Sequence, residues 1–317
     1  EMAGAFAAIY LIWGSTFLAI RFAIESIPPL FMASARFLLA GGLLYLWTRH
    51  RGMPRPGKRH WPAAALLGGL LLLGGNGGVS WAEQRVASGA AALIVATIPL
   101  WVALLEGLRR GGSRPGGRAF LGLLLGFGGV AILVGPGRPG GLERVDPIGA
   151  AVLLFASLCW AIGSLYAPRA LLPASKFVST AMQMLAGGFF LLLASLLAGE
   201  WGRLDPSAVS PRSIVSLLYL VLFGSIVSFS AYIWLLGVTT PSRVSTYAFV
   251  NPIVAVLLGW GFAGEPLGPR TLLAAAAIVG AVVLILSRPA RRVPAATGSP
   301  EPRAGGLSRS VLPEEGA

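Results

Sequence analysis

The chain consists mostly of long apolar runs, which are separated by short turns rich in Pro and Gly. A helix needs about 20 consecutive apolar residues to cross the hydrocarbon core of a bilayer. Only helices and closed barrels satisfy their backbone groups there, and these runs lack the alternating pattern of barrel strands. The sequence therefore predicts an all-α membrane protein with ten transmembrane helices, at about residues 4–24, 30–47, 61–82, 87–108, 118–135, 147–167, 175–198, 212–236, 242–263 and 270–287.

The composition excludes a single-domain soluble enzyme. Of the 317 residues, 55% are hydrophobic and 12% are charged, and the mean hydropathy is +0.76. A soluble domain carries about 25% charged residues, so this chain cannot cover its apolar residues with a polar surface. One cysteine, Cys159, and two histidines, His50 and His60, are too few for an intramolecular disulfide or a buried His/Cys metal site. We therefore expect no metal and no cofactor.

The basic residues fall in short loops, and their distribution predicts the orientation of the helices. One alternate set of loops, together with the region after residue 287, holds 17 of the 25 Lys and Arg residues, and the opposite set holds 7. Because basic loops stay on the cytoplasmic side, both termini are expected in the cytoplasm. The net charge of +13 then reflects topology, and no nucleic-acid partner is expected. The excess of Arg over Lys, 23 to 2, indicates a bacterial inner-membrane protein.

The two halves of the chain share short patterns in the same order. The pattern at Leu39–Gly42 recurs at Leu185–Gly188, and Trp13-Gly14 corresponds to Trp160-Ala161. A Trp and a Pro that are 18 residues apart also occur in both halves, at Trp81 and Pro99 and at Trp234 and Pro252. Each repeat contains five spans, an odd number, so the second copy must enter the membrane upside down. Inverted repeats that meet at the midplane are the architecture of secondary transporters.

The repeat predicts the organisation of the chain. We expect a first five-helix repeat at residues 1–145, a second, inverted repeat at 146–288, and a disordered cytoplasmic tail at 289–317, which is rich in Pro, Gly, Arg and Ala. The expected partners are the lipid bilayer and a small-molecule substrate. The oligomeric state stays open between a monomer and a homodimer.

Five motifs are distributed along the spans: Trp13-Gly14-Ser15-Thr16, Arg36-Phe37, Pro99, Asn251-Pro252 and Gly264-Glu265-Pro266-Leu267. With the Gly-rich fifth and tenth spans, they resemble the drug/metabolite transporter superfamily in its EamA-type branch of ten-span exporters. The resemblance covers about residues 4–287 and is strongest to the bacterial YddG-type exporters of aromatic and other amino acids. It implies export of amino acids or drugs. This chain has Gly111-Gly112-Ser113 where the family usually has Gly-Glu after span 4, so no role of that acid carries over.

Polar and aromatic side chains inside the spans are the candidates for substrate contact. Such groups usually face a cavity or another helix, because they are costly in lipid. The candidate substrate-binding residues are Trp13, Thr16, Arg36, Asn76, Thr97, Trp101, Trp160, Ser164, Gln183, Tyr232, Tyr247 and Asn251. Pro99 and Pro252 interrupt the helical hydrogen-bond ladder at matched positions, so they are candidate hinges. The hydroxyls of Ser157, Ser225 and Ser228 are expected to serve helix packing.

Arg36 is the only firmly intramembrane cation in the predicted spans. Two interpretations of this residue stay open. It attracts the carboxylate of a substrate, or it has a structural role, bonding carbonyl groups or pairing with an acid such as Glu83.

Together these features predict a secondary transporter that exports small metabolites by alternating access. No acid lies at the centre of any span, so proton coupling is not indicated. The main alternative is a facilitator driven by the substrate gradient, or a channel-like membrane protein. An intramembrane enzyme is disfavoured because both histidines lie in one loop and no acid pair lies in a span.

Overall fold

The computed structural model describes residues 1–108, 117–135, 145–244 and 246–286, and the regular structure within them is helical. Each predicted span contains one main helix. In chain order these are α1 (Met2–Ala23), α2 (Pro29–His50), α3 (Lys58–Ala82), α4 (Ser88–Leu108), α5 (Gly117–Val134), α6 (Pro147–Arg169), α7 (Lys176–Leu197), α8 (Pro211–Val238), α9 (Tyr247–Ala263) and α10 (Pro269–Leu286).

Within these described ranges, seven helices are long and apolar enough to cross a membrane, namely α1–α4 and α6–α8. The other three, α5, α9 and α10, are shorter apolar helices. The all-α membrane class is thus confirmed, and the count of ten spans stays a prediction. The predicted tail at 289–317 and the segment Gly111-Gly112-Ser113 lie outside the described residues.

Local sequence signals explain where several helices begin. Pro29 and Pro147 lie in the first turns of α2 and α6, where the missing N–H costs no helical hydrogen bond. Asp146 precedes α6, and its Oδ1 accepts a hydrogen bond from the backbone N–H of Gly149 at 2.7 Å. These signals fix the ends of the helices that surround the centre of the bundle.

Three helices widen locally to π geometry, at Ala8–Ile12 in α1, Gly68–Gly77 in α3 and Leu220–Val227 in α8. Such segments often mark functional sites, because the altered hydrogen-bond pattern disturbs the regular backbone ladder. The segment in α3 contains most of the glycine run of that span, Gly74–Gly78, which is helical throughout. The segments in α3 and α8 begin at corresponding places in the two halves, 152 residues apart.

The helices pack in pairs that join the two halves of the chain. α2 packs along α7, α4 along α9, and α5 along α10. Small residues allow the close approach. A Cβ atom at Gly41 would lie 2.9 Å from the Cβ of Met184, and one at Gly188 would lie 2.9 Å from the backbone nitrogen of Leu38. The α5–α10 contact uses glycines in the same way, at Gly122, Gly126 and Gly129.

The remaining helices complete the centre of the bundle. α1 packs against α8 and α9, while α6 packs against α3 and α4. The central cavity lies among these helices and α2.

Candidate substrate cavity

The central cavity has a volume of about 70 Å³ and is lined by α1, α2, α3, α4, α6, α8 and α9. Two glycines of the π segments, Gly75 and Gly224, form part of its wall. A Cβ at Gly75 would lie 2.8 Å from the ring of Trp160, so the glycine permits this close contact. Pockets that hold small ligands usually measure about 300–1,000 Å³. The cavity is therefore smaller than a usual small-ligand pocket, and we describe this conformation as contracted.

Seven of the twelve candidate residues line the cavity, and these are Trp13, Thr16, Arg36, Asn76, Trp160, Tyr247 and Asn251. They come from both halves of the chain. Residues that were selected from the sequence, and that are up to 238 positions apart, therefore lie on the wall of one cavity.

Four aromatic side chains, Trp13, Trp160, Tyr232 and Tyr247, form what we call the aromatic cluster. The ring centroid of Trp13 lies 5.5 Å from that of Trp160, 5.0 Å from that of Tyr232 and 5.3 Å from that of Tyr247. The Trp13–Trp160 and Trp13–Tyr247 contacts are edge-to-face, a favourable arrangement for aromatic pairs. Trp13 is also fixed by its Nε1–H, which donates to the carbonyl of Gly224 at 3.1 Å.

Tyr232 is buried behind the cavity wall and supports it. Its hydroxyl and that of Ser164 are 2.6 Å apart, and Ser164 Oγ also donates to the carbonyl of Trp160 at 2.6 Å. The bond between the two hydroxyls connects α6 to α8, and the bond to Trp160 lies within α6. Ser164 and Tyr232 therefore position the aromatic cluster without lining the cavity themselves.

Arg36 is a buried cation that faces the cavity, with 3% of its surface exposed. Its Nε donates to Ser225 Oγ at 2.7 Å, and its guanidinium carbon lies 4.7 Å from the ring centroid of Phe37. Glu83 interacts with it electrostatically. The ion pairs found among the described residues are Arg203–Glu200 and Arg212–Glu25, so Arg36 has no carboxylate within 4.0 Å there. Direct pairing with Glu83, one form of the structural interpretation, is therefore absent from this conformation.

Asn251 joins α9 to the π segment of α1. With its amide oriented to satisfy its neighbours, Nδ2 donates to the carbonyls of Tyr10 at 2.8 Å and Ile9 at 3.1 Å. The hydroxyls of Tyr10 and Thr246 are 2.6 Å apart and add a second connection beside it. Both accepting carbonyls belong to the π segment Ala8–Ile12, so the irregular geometry of α1 coincides with the place where α9 attaches.

The other polar candidates are placed in different surroundings. Thr97 is buried and donates to the carbonyl of Ile94 at 2.7 Å. Trp101 packs against Phe127, with ring centroids 5.1 Å apart. Gln183 donates to Ser179 Oγ at 3.0 Å and lines a separate pocket of about 260 Å³.

The two candidate hinge prolines differ in their local structure. α4 is interrupted between its parts Ser88–Val95 and Ile98–Leu108, and Pro99 follows this interruption. Pro252 lies inside the continuous helix Tyr247–Ala263. The matched sequence positions therefore carry different backbone geometry in this conformation.

Ser225 contacts a cavity-lining residue, and this contact was missed from the sequence. It was expected to serve helix packing, yet its hydroxyl accepts the hydrogen bond of Arg36. The two residues are 189 positions apart, and no spacing pattern connects them. The only available signal was the general one that a buried guanidinium needs acceptors.

Comparison with known proteins places this arrangement in a family. The EamA-like transporter family matches residues 2–135 and again residues 147–287. The chain belongs to the EamA-like transporter family. It is a membrane transporter and not an enzyme, since its family and relatives are transporters.

Relatives of this EamA-family chain occur in bacteria and plants. The inner membrane transporter YedA of Escherichia coli is 43% identical over 283 residues, which cover 89% of each chain. The transporter YvbV of Bacillus subtilis is 26% identical and covers 92% of this chain and 93% of its own. A chloroplastic WAT1-related protein of Arabidopsis thaliana is 27% identical, over 87% of this chain and 67% of the relative.

A solved crystal structure shares the fold. It aligns with a TM-score of 0.62 at 19% identity, over 89% of this chain and 95% of the other. At this identity the likeness supports the fold alone.

Proposed function

We propose that this protein is a secondary transporter that exports small metabolites bearing a carboxylate, in particular aromatic and other amino acids, and also drugs with the same chemical features. The observation that carries the proposal is the position of Arg36 on the same small cavity as the aromatic cluster. Arg36 is a buried cation with no carboxylate partner among the residues that the structure describes. An amino acid carries complementary groups, because it joins a carboxylate to a side chain that is often apolar.

The two recognition elements lie within the length of one small molecule. Trp13 donates to the carbonyl of Gly224, and the Arg36 Nη2 atom lies 3.1 Å from the position of a Cβ built on the same glycine. The guanidinium has five N–H donors, and the bond to Ser225 uses its Nε–H. Its terminal N–H groups form a planar fork that matches the two oxygens of a carboxylate. Asn76 and Asn251 add amide groups to the wall.

Several observations support two inverted five-helix repeats that together form ten spans. The same family matches two successive segments of the chain, 2–135 and 147–287. The contacts α2–α7, α4–α9 and α5–α10 each join corresponding helices of the two halves. Trp13 and Trp160, which correspond in the sequence repeat, touch each other, as residues near a two-fold axis do. These pairings fit the inverted-repeat architecture of secondary transporters.

Alternating access explains why the cavity is contracted in this conformation. The bonds from Asn251 to α1 and from Tyr10 to Thr246 hold α1 and α9 together beside the aromatic cluster. Opening of the cavity on this side requires these bonds to break. In our proposal, bending near Pro99 and Pro252 allows the two halves to move and expose the cavity to one side of the membrane at a time.

The proposed location is the bacterial inner membrane, with both termini in the cytoplasm. The relative YedA is an inner membrane transporter. The Lys and Arg residues favour one set of loops by 17 to 7, which supports this orientation through the positive-inside rule. We propose export as the direction of net transport because the resemblance to EamA-type exporters implies it.

Counterflow in proteoliposomes tests the proposal. The purified protein is reconstituted with unlabelled L-tryptophan or L-leucine inside, and labelled amino acid is added outside at low concentration. A carrier gives a transient, saturable accumulation of label above that of protein-free liposomes. Absence of saturable counterflow for all twenty amino acids would exclude them as substrates, and linear flux without accumulation would favour the channel-like alternative.

A further inference from the structure

Three acidic residues lie just after helices of the bundle: Glu83 after α3, Glu200 after α7 and Glu265 after α9. Glu200 and Glu265 cap the N-termini of other helices. The carboxylate of Glu200 accepts from the backbone N–H of Leu30 at 3.3 Å and of Phe31 at 2.7 Å, at the start of α2. The carboxylate of Glu265 accepts from the N–H groups of Ser88 and Gly89 at 2.6 and 3.0 Å, at the start of α4. Helix N-termini stabilise negative charge, so both acids have a structural role as caps.

Glu83 is different, because its carboxyl group is fully buried and has no hydrogen-bond partner in the described residues. Arg21 donates to the backbone carbonyl of Glu83 at 2.8 Å and does not bond its side chain. Both carboxyl oxygens lack a hydrogen bond in the described residues. A buried carboxylate without a partner is far more costly than the neutral acid. This conformation therefore favours the protonated form of Glu83.

The charges around Glu83 act in both directions. Burial, and next the negative charge of Glu265, raise the pKa of Glu83 well above its usual value, while Arg21 and Arg36 act to lower it. These groups lie on α1, on α2 and on the turn after α9. On its own turn, the guanidinium of Arg85 lies over the ring of Trp81, 5.2 Å from its centroid.

The position of Glu83 connects two parts of the molecule. One of its electrostatic neighbours, Arg36, lines the central cavity. Another, Glu265, lines a separate pocket of about 130 Å³ together with Arg85 and Thr271.

We propose that Glu83 is a proton-binding site, at which a proton from water binds the carboxylate as this contracted conformation forms and leaves as it opens. Proton binding changes one carboxylate to one neutral carboxylic acid and needs no other reactant. Since Arg36 lines the cavity and interacts electrostatically with Glu83, the charge state of Glu83 changes the potential at the proposed substrate carboxylate. The role in transport rests on the proposed function, whereas proton binding itself does not.

The stability of the purified full-length protein tests proton binding without any substrate. A group whose pKa is raised by folding contributes stability below its unfolded pKa, and this contribution is lost as pH rises through its folded pKa. Between about pH 5 and pH 8, we expect the thermal midpoint of the wild type to fall by roughly 2–4 °C for each pH unit over which the proton is released. Glu83→Gln and Glu83→Met should remove this fall, and Glu106→Gln, at an exposed acid of α4, should keep it.

One outcome would overturn the inference. If the midpoints of the wild type and both Glu83 variants follow parallel pH profiles, Glu83 binds no extra proton in the folded state. The use of two variants separates this result from a folding defect, because Gln keeps the shape of the protonated acid and Met removes its polar group.

Counterflow of labelled L-tryptophan tests the role in transport. We expect the wild-type rate to change at least threefold over the same pH range and the Glu83→Gln rate to change much less. Equal pH dependence of the two proteins would contradict a transport role for Glu83. Absence of counterflow in the wild type would instead contradict the proposed function, and the stability profiles would still decide whether Glu83 binds the proton.

Discussion

The two walls of the central cavity differ in how their side chains are supported. The aromatic cluster is held by contacts among its own members and by the bonds of Trp13 to Gly224 and of Tyr232 to Ser164. Arg36 is held by one side-chain hydrogen bond, to Ser225, and its buried charge has no carboxylate within 4.0 Å in the described structure.

This difference separates structural from functional contributions. Buried aromatic rings contribute to folding through the area that they remove from the surroundings and through their mutual contacts. A buried charge without a partner destabilises the folded state, so its presence is better explained by a ligand than by stability. Substitutions on the two walls should therefore affect stability and transport in different proportions.

The largest effect on stability is expected at Trp160. Replacement by Ala removes its contacts with Trp13, Tyr232 and Phe229 and leaves a cavity, so we expect a loss of about 3–5 kcal/mol in the free energy of unfolding. Trp160→Phe should retain most of this stability. Chemical unfolding in detergent measures both variants, and an unchanged stability of Trp160→Ala would contradict the supporting role of the cluster.

The next effect, on transport, is expected at Arg36. Arg36→Gln removes the charged group that we propose binds the substrate carboxylate in a bidentate manner. We therefore expect the counterflow rate at low substrate concentration to fall roughly 10- to 100-fold. Its stability should stay the same or increase, because a buried unpaired charge is removed. Arg36→Lys, which keeps the charge without the planar fork, is the matched control and should lose less activity. Strong destabilisation with normal counterflow in the folded fraction would favour the structural interpretation.

A smaller effect is expected at Ser225. Ser225→Ala removes the acceptor of the Arg36 Nε–H and loosens the orientation of the guanidinium. The expected result is a rise of about threefold to tenfold in the half-saturating substrate concentration, which corresponds to about 1 kcal/mol. Counterflow rates over a range of L-tryptophan concentrations measure it. Ser228→Ala is the control on the same helix, and an equal effect there would show that helix packing, and not Arg36, is responsible.

The smallest effect is expected at Tyr232. Tyr232→Phe keeps the ring and removes the hydroxyl that bonds Ser164, while Ser164 retains its bond to the Trp160 carbonyl. We expect a loss of about 1 kcal/mol or less in the free energy of unfolding. A double-mutant cycle with Ser164→Ala measures the coupling, and additive losses would show that the two hydroxyls do not interact.

The sequence predicted the main helices because long apolar runs determine them almost alone. The sequence also predicted the cavity-lining residues Trp13, Trp160, Arg36 and Asn251. Polar and aromatic groups in a span usually face an internal cavity or another helix, because they are costly in lipid. The same criterion chose Gln183 and Trp101, which face other packing environments. A polar or aromatic residue within a span is therefore predicted to face the protein interior. Its polarity does not show whether it lines the cavity or packs against another helix.

Other features depend on tertiary contacts that no local pattern encodes. The π geometry of Ala8–Ile12 coincides with the contacts of Asn251, more than 230 positions away. The hydrogen bond of Ser225 depends on where α2 and α8 meet. Glu83 directly follows the predicted span 61–82, and no local pattern indicates that the surrounding helices bury it completely.

The central claim is that Arg36 binds the carboxylate of a substrate whose apolar part contacts the aromatic cluster. It is tested most directly by competition against counterflow of labelled L-tryptophan. Indole-3-propionate keeps the indole ring and the carboxylate, whereas tryptamine keeps the ring and lacks the carboxylate. The account predicts at least tenfold stronger inhibition by indole-3-propionate in the wild type and loss of this preference in Arg36→Gln. Equal inhibition by both compounds, or stronger inhibition by tryptamine, in the wild type would contradict it.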